Sequence, residues 1–286
     1  MGPPLSTVAD DSCGDDRLDA HVGAFAGARM AKRFLLEISV QTVEAAQAAE
    51  RGGADRIELC ADLSVGGLTP PRELLRAVRE AVRVPTFSMV RPRPGDFVYS
   101  AAEFEEMKRA MDVAKKSGMN GVVFGILRKD HSVDVERTRE LVEMARPLPV
   151  TFHRAFDECS RERSADEGKA AASRLGAKDL QESLEEVIRT GAARILTSGG
   201  AKSALEGASQ LRSLVEAAAD RIVVVPGAGI SAANIAEVLK QTGAREFHSG
   251  LSSVLPYSTP DYARFEAEVA RLARALAGIE GKMGKF

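Results

Sequence analysis

Residues 34–61, FLLEISVQTVEAAQAAERGGADRIELCA, hold the whole architecture in one unit. FLLEISV (34–40) is a short apolar run with β-branched residues, which reads as a strand. TVEAAQAAERG places apolar residues at helical spacing, and Gly52 stands where a residue of positive φ closes a last turn. RIELCA (56–61) is then a second strand. A strand, an amphipathic helix and a strand in immediate succession imply a right-handed crossover and parallel pairing.

The unit recurs. Further strands are read at PTFSMVR (85–91), GVVFGIL (121–127), PVTFHRA (149–155), RILTSG (194–199), RIVVVPG (221–227) and EFHSGL (246–251). Helical patterns cover 71–82, 102–118, 134–147, 180–191, 203–219, 231–243 and 260–278, and Gly118, Gly191 and Gly243 close three of them as Gly52 closes the first. Eight such units predict a single closed (β/α)8 TIM barrel over residues 33–286. An open doubly wound sheet would carry a glycine-rich turn after its first strand, where this chain reads SVQTVE. Residues 1–32, rich in Gly, Ala and Asp without periodicity, are expected to form a disordered extension. Residues 158–179 form a long insertion after the fifth strand.

Composition removes several functional classes. The formal charge of −2 gives no attraction toward nucleic acid, and no run of about 18 uncharged apolar residues exists to cross a membrane. Cys13, Cys60 and Cys159 are too few and too scattered for a disulfide framework, which suits a reducing, cytoplasmic setting. No GxxxxGK[ST] loop is present, so no nucleotide cofactor is expected.

Alternate residues of a barrel strand face the interior, and a charged side chain is costly against the surrounding helices. The charges therefore set the register. Glu37 points inward with Leu35 and Ser39, Glu58 with Cys60, Arg91 with Met89 and Phe87, His153 with Thr151, and His248 with Glu246 and Gly250. Arg154 has the opposite parity to His153 and faces inward only if the strand has already ended. Glu37, Glu58, Arg91 and His153 are the catalytic candidates, with His153 as general acid or base because an imidazole titrates near neutral pH. Asp157 lies beside them at the barrel mouth. Short Gly/Ser loops follow the last three strands, at TSGGAKSALEG, PGAGIS and HSGLSS. Their backbone N–H groups form natural anion cradles, so Arg91, Arg154, Ser198, Gly199, Gly227, Gly229 and His248 are the anion-binding candidates.

AERGGADRIELCADLSVGGLTP, MVRPRPGDFVYS, PLPVTFHRAFD, RILTSGG and PGAGI resemble, in order and spacing, the CutC family, described as copper homeostasis proteins. The resemblance runs from about residue 33 to about residue 256. It implies a cytoplasmic, homo-oligomeric TIM barrel that binds Cu(I), with no established catalytic activity. Members often carry one cysteine at the end of the first strand and another in the second-strand IELC motif. Here IELC supplies Cys60, but the first-strand position is Ser39, a hard and weak ligand for Cu(I). Cys60 is then the metal candidate, with Met89, His153 and His248 as co-ligand candidates. Two functions remain in view. One is a Cu(I)-binding homeostasis protein; the other is a barrel enzyme acting on a small anionic or phosphorylated substrate.

Overall fold

The computed structural model describes residues 1–2, 34–160, 180–251 and 261–283. The expected extension at 1–32, residues 161–179 of the insertion, and Ser252 and Ser253 of the last loop lie outside the described residues. The chain divides into Met1–Lys32 and Arg33–Phe286, and the second unit holds every element below.

Among the described residues eight strands are present: β1 (Leu35–Val40), β2 (Arg56–Leu59), β3 (Thr86–Met89), β4 (Gly121–Phe124), β5 (Val150–Phe152), β6 (Arg194–Thr197), β7 (Val223–Pro226) and β8 (Glu246–Ser249). All pairings are parallel, in the order β7-β6-β5-β4-β3-β2-β1-β8. At the seam between β7 and β8 a Cβ built on Gly227 would lie 3.6 Å from Cβ of His248, so the two ends of the sheet meet. The expected barrel is observed. Each strand falls within its predicted run and all but β1 stop earlier, because residues at the C-terminal ends turn into the loops of the mouth.

The helices are α1 (Val43–Gly52), α2 (Arg72–Ala81), α3 (Ala101–Lys116), α4 (Val135–Ala145), α5 (Leu180–Thr190), α6 (Ala208–Ala218), α7 (Ile235–Thr242) and α8 (Tyr262–Met283). Two short 3-10 helices, Leu63–Val65 and Arg154–Ser160, follow β2 and β5. Thr42 caps α1 through its hydroxyl, and Ser100 with Glu103 forms a reciprocal capping box on α3. Three expectations at helix ends are corrected. The helices read at 203 and 231 begin at Ala208 and Ile235, because the preceding residues form the turns of the β6 and β7 loops. The positive φ after α1 belongs to Gly53 (φ 94), not Gly52. Gly52 serves packing instead: a Cβ there would sit 2.7 Å from Cβ of Val269 on α8.

The main core lies between the outward strand faces and the helices, with Leu36, Ile38, Ile57, Phe124, Phe152 and Phe247 fully buried. A second apolar cluster, Cys60, Phe87, Met89 and Val123, fills the barrel interior. Below it the guanidinium groups of Arg56 and Arg194 lie 5.0 and 5.1 Å from the Phe87 ring centre. Such stacking suits arginine in a partly desolvated site.

Candidate functional site

A cavity of about 690 Å³ opens at the C-terminal ends of the strands, the end at which barrels carry their sites. Glu58, Met89, Arg91, His153 and His248 line it, and Glu37 lies directly behind His248. The parity argument therefore placed these residues on the correct face. Sheet register brings them together, since Glu37 is paired with Arg56 on one side and with His248 on the other, and Ser39 with Glu58.

Glu37 is the pivot. Its Oε1 is 2.7 Å from Nδ1 of His248, and its Oε2 accepts from Nε of Arg56. Burial alone would raise the Glu37 pKa, but Arg56 and His248 outweigh it and hold the carboxyl well below the usual range. Arg56 also donates to Glu246 at 2.6 Å, and Glu246 accepts from Arg194 at 3.0 Å. Sequence reasoning missed Arg56 and Arg194 as the counter-charges. Arg56 had the signal, since it shares its parity with Glu58.

Glu58 stands apart from that network. Burial, the largest influence, raises its pKa, and its Oε1 has no hydrogen-bond partner. Its Oε2 accepts from the Cys60 thiol at 3.7 Å and lies 3.7 Å from Nε2 of His248. Burial tends to lower the His248 pKa, yet the charge on Glu58 and the contact with Glu37 hold it above the ordinary value. Cys60 is fully buried, and burial with the neighbouring Glu58 pushes its pKa up, so it rests as a thiol.

One expected role changes. His153 is pushed down to about 3, chiefly by burial and then by the Arg91 charge. Its Nδ1 accepts the Ala155 amide at 3.2 Å, which assigns the ring proton of the neutral tautomer to Nε2. A ring that does not titrate near neutral pH is a neutral donor rather than the general acid or base expected of it. Gly125 makes the room, since a Cβ there would lie 2.7 Å from Nδ1. Arg91 reaches backbone carbonyls at Val65 (2.9 Å), Gly67 (3.2 Å) and Gly95 (2.9 Å), tying the loops after β2 and β3 together. Among the described residues it has no carboxylate partner, and its Nε is buried without an acceptor.

The loop after β6 is a carboxylate cradle that the chain fills itself. Asp157 accepts from Thr197 Oγ1 (2.5 Å) and from the amides of Ser198 (3.0 Å) and Gly200 (3.2 Å). The Ser198 hydroxyl also donates to it at 3.0 Å. Gly199 donates to Thr197 Oγ1 and Gly227 to the Thr197 carbonyl, so the Ser198, Gly199 and Gly227 donors expected to meet an external anion are engaged internally. Arg154 reaches the cavity because β5 ends at Phe152; it pairs with Asp157 at 2.8 Å and remains half-exposed. Gly229 (φ 70) follows Ala228 (φ 76) at the rim. The amides of Ala228, Gly229 and Ile230 have no acceptor among the described residues.

The soft donors for Cu(I) are the Cys60 thiol and the Met89 thioether, in one cluster. Both approach Gly67, where a Cβ would lie 2.9 Å from Sγ and 3.5 Å from Cε. Ser39 lines the cavity where the resemblance puts a second thiol. Thiol and thioether are the donor types that suit Cu(I), and the Cys60 proton would have to be displaced for an ion to bind.

The family model described as "CutC family" matches residues 34–172 and 174–253. A human relative named "Copper homeostasis protein cutC homolog" is 46% identical over 223 residues, covering 78% of this chain and 75% of that protein. A CutC family protein of Xanthomonas axonopodis pv. citri is 41% identical, covering 84% of this chain and 98% of the relative. The crystal structure titled as the putative copper homeostasis protein CutC from Streptococcus agalactiae superposes with TM-score 0.66 at 26% identity, covering 76% of this chain and 98% of that one. Thiamine phosphate pyrophosphorylase from Pyrococcus furiosus, with TM-score 0.55 at 19% identity over 87% of this chain and 97% of its own, shares the barrel fold.

Proposed function

This chain belongs to the CutC family, and on that premise we propose that it serves copper homeostasis by holding Cu(I) inside the barrel mouth, with Cys60 as the principal ligand and Met89 beside it. The observation that carries the reading is a fully buried thiol in one cluster with a methionine that lines the cavity. Thiolate and thioether select Cu(I) over harder ions. His153 and His248 are the imidazoles near enough to the cavity to complete the shell. A cytoplasmic location and self-association accompany the reading through the family. Among the described residues no helix is long and apolar enough to cross a membrane.

Titration of the reduced full-length protein with Cu(I) against a chromogenic chelator tests this. One ion is expected per chain, and Cys60→Ser should lose it. Unchanged stoichiometry in that variant sinks the assignment.

A second reading has its own support. Arg91 is a buried cation without a carboxylate partner, and Arg154 and the free amides of residues 228–230 share its cavity. A small carboxylate or phosphate ester suits that combination. A thermal-shift screen of such anions should find stabilisation that Arg154→Gln reduces; an equal shift in the variant refutes it.

A further inference from the structure

The charges at the barrel mouth do not close. Glu37 and Glu246 are answered by Arg56 and Arg194. Glu58, only 3% exposed, has no arginine or lysine partner among the described residues, and its Oε1 is buried without a hydrogen bond. Its charged neighbour is the His248 imidazole, 3.7 Å away and without a hydrogen bond, and a buried carboxylate held so loosely costs several kcal/mol, roughly, unless a closer cation or a proton meets it. The imidazole beside it is already arranged as a ligand. Nδ1 of His248 is held by Glu37 at 2.7 Å, and Nε2 is the nitrogen that lies towards Glu58. A carboxylate gripping one ring nitrogen so that the other can coordinate is the usual support behind a metal-binding histidine. Arg56 holds Glu37 in turn.

Distance decides between a hydrogen bond and a bridge. Nε2 of His248 and Oε2 of Glu58 are 3.7 Å apart, too far for the former. Two ligands each about 2.1 Å from one zinc ion stand about 3.4 Å apart at a tetrahedral angle and at most about 4.2 Å apart. The observed gap falls between those limits. One oxygen or nitrogen atom from each of Glu37, Glu58 and His248 also lies within 4.8 Å of the others.

We propose that Glu58 and His248 bind a divalent cation of the zinc class at the inner end of the cavity, with Glu37 as the positioning residue that orients the imidazole. One nitrogen and one carboxylate oxygen form a harder donor set than the thiol and thioether proposed for Cu(I). The two sites adjoin through Glu58 and Cys60 but differ in their principal ligands, and with His248 engaged here His153 is the imidazole left for Cu(I). With two protein ligands, the ion keeps positions open toward the cavity, where an oxygen of a small anion would complete it. That deepens the second reading above, because it gives the anion a cation in the cavity that Arg91 and Arg154 also line.

The test is calorimetric titration of the metal-stripped, reduced full-length protein with zinc sulfate. One ion per chain is expected at micromolar affinity or tighter. Glu58→Gln and His248→Gln should each weaken binding by more than the roughly 10–100-fold expected for Glu37→Gln, where only orientation is lost. Cys60→Ser should keep zinc while losing Cu(I), so failure of one site is separable from failure of the other. Absence of zinc binding by the wild type would mean that a proton on His248 answers Glu58, and the proposal falls. It falls equally if both ligand variants bind as the wild type does. Should those variants not fold, X-ray absorption on the zinc-loaded wild type decides: an imidazole in the first shell is expected, and a shell of oxygen alone overturns the site.

Discussion

At His153 the backbone amide of Ala155 occupies Nδ1, Phe97 lies 4.9 Å from the ring centre, and the ring is neutral at physiological pH. This has a pH signature. The folded-state pKa of about 3 lies below the ordinary 6.5, so the unfolded chain binds the extra proton between those values. The contribution is full above pH 6.5 and fades as pH falls toward 3. His153→Asn keeps an acceptor for the amide and removes the titration. Urea midpoints at pH 7 and pH 4 should differ less in the variant than in the wild type; an equal acid loss in both contradicts the burial argument. His248 has the opposite sign, since its pKa is raised: its contribution is present below 6.5 and declines as pH rises through its folded value. Asp157 makes a plainer prediction. Asp157→Ala leaves the Thr197 hydroxyl and the Ser198 and Gly200 amides without their acceptor and should cost about 3 kcal/mol in urea unfolding.

Elements were legible where the signal is local. Strand runs and helical periods depend on neighbours one to four residues away, so all eight strands and the helices between them could be read directly. Their ends were less so. Gly52 and Gly53 look alike in sequence, yet one allows α8 to approach and the other adopts positive φ. Gly52→Ala should destabilise the protein by about 1–3 kcal/mol through overpacking against Val269. Gly53→Ala should cost about 1–2 kcal/mol through its left-handed backbone alone. Chemical denaturation of the two variants measures each cost, and Val269→Ala should not restore Gly52→Ala, because the Val269 Cβ and the Glu266 carbonyl, 2.7 and 2.9 Å from the added Cβ, both remain. Loss of the Ser100 hydroxyl in Ser100→Ala should cost about 1 kcal/mol by the same measurement.

Across the whole molecule, four strands are joined through one buried ion network: Glu37 on β1, Arg56 on β2, Arg194 on β6 and Glu246 on β8. Arg56→Met should cost about 3–5 kcal/mol, because the buried Glu37 loses its arginine and Glu246 keeps only Arg194. Adding Glu37→Gln and Glu246→Gln to it should recover stability, since neutral partners need no counter-charge. A triple variant no more stable than the single one would show that the network contributes packing rather than compensation. The succession of strand and helix was enough to specify eight parallel strands and a closed barrel, and the charged strand positions specified the faces that carry Glu37, Glu58, Arg91, His153 and His248, because those are matters of short-range period. Protonation and pairing were not, because they turn on distances between groups far apart in the chain. Arg56 lies 19 residues from Glu37, His248 lies 211 away, and Ser198 meets Asp157 across 41. Only the closed barrel sets those separations, and with them which charges are answered, which imidazole is neutral, and where a cation is wanted.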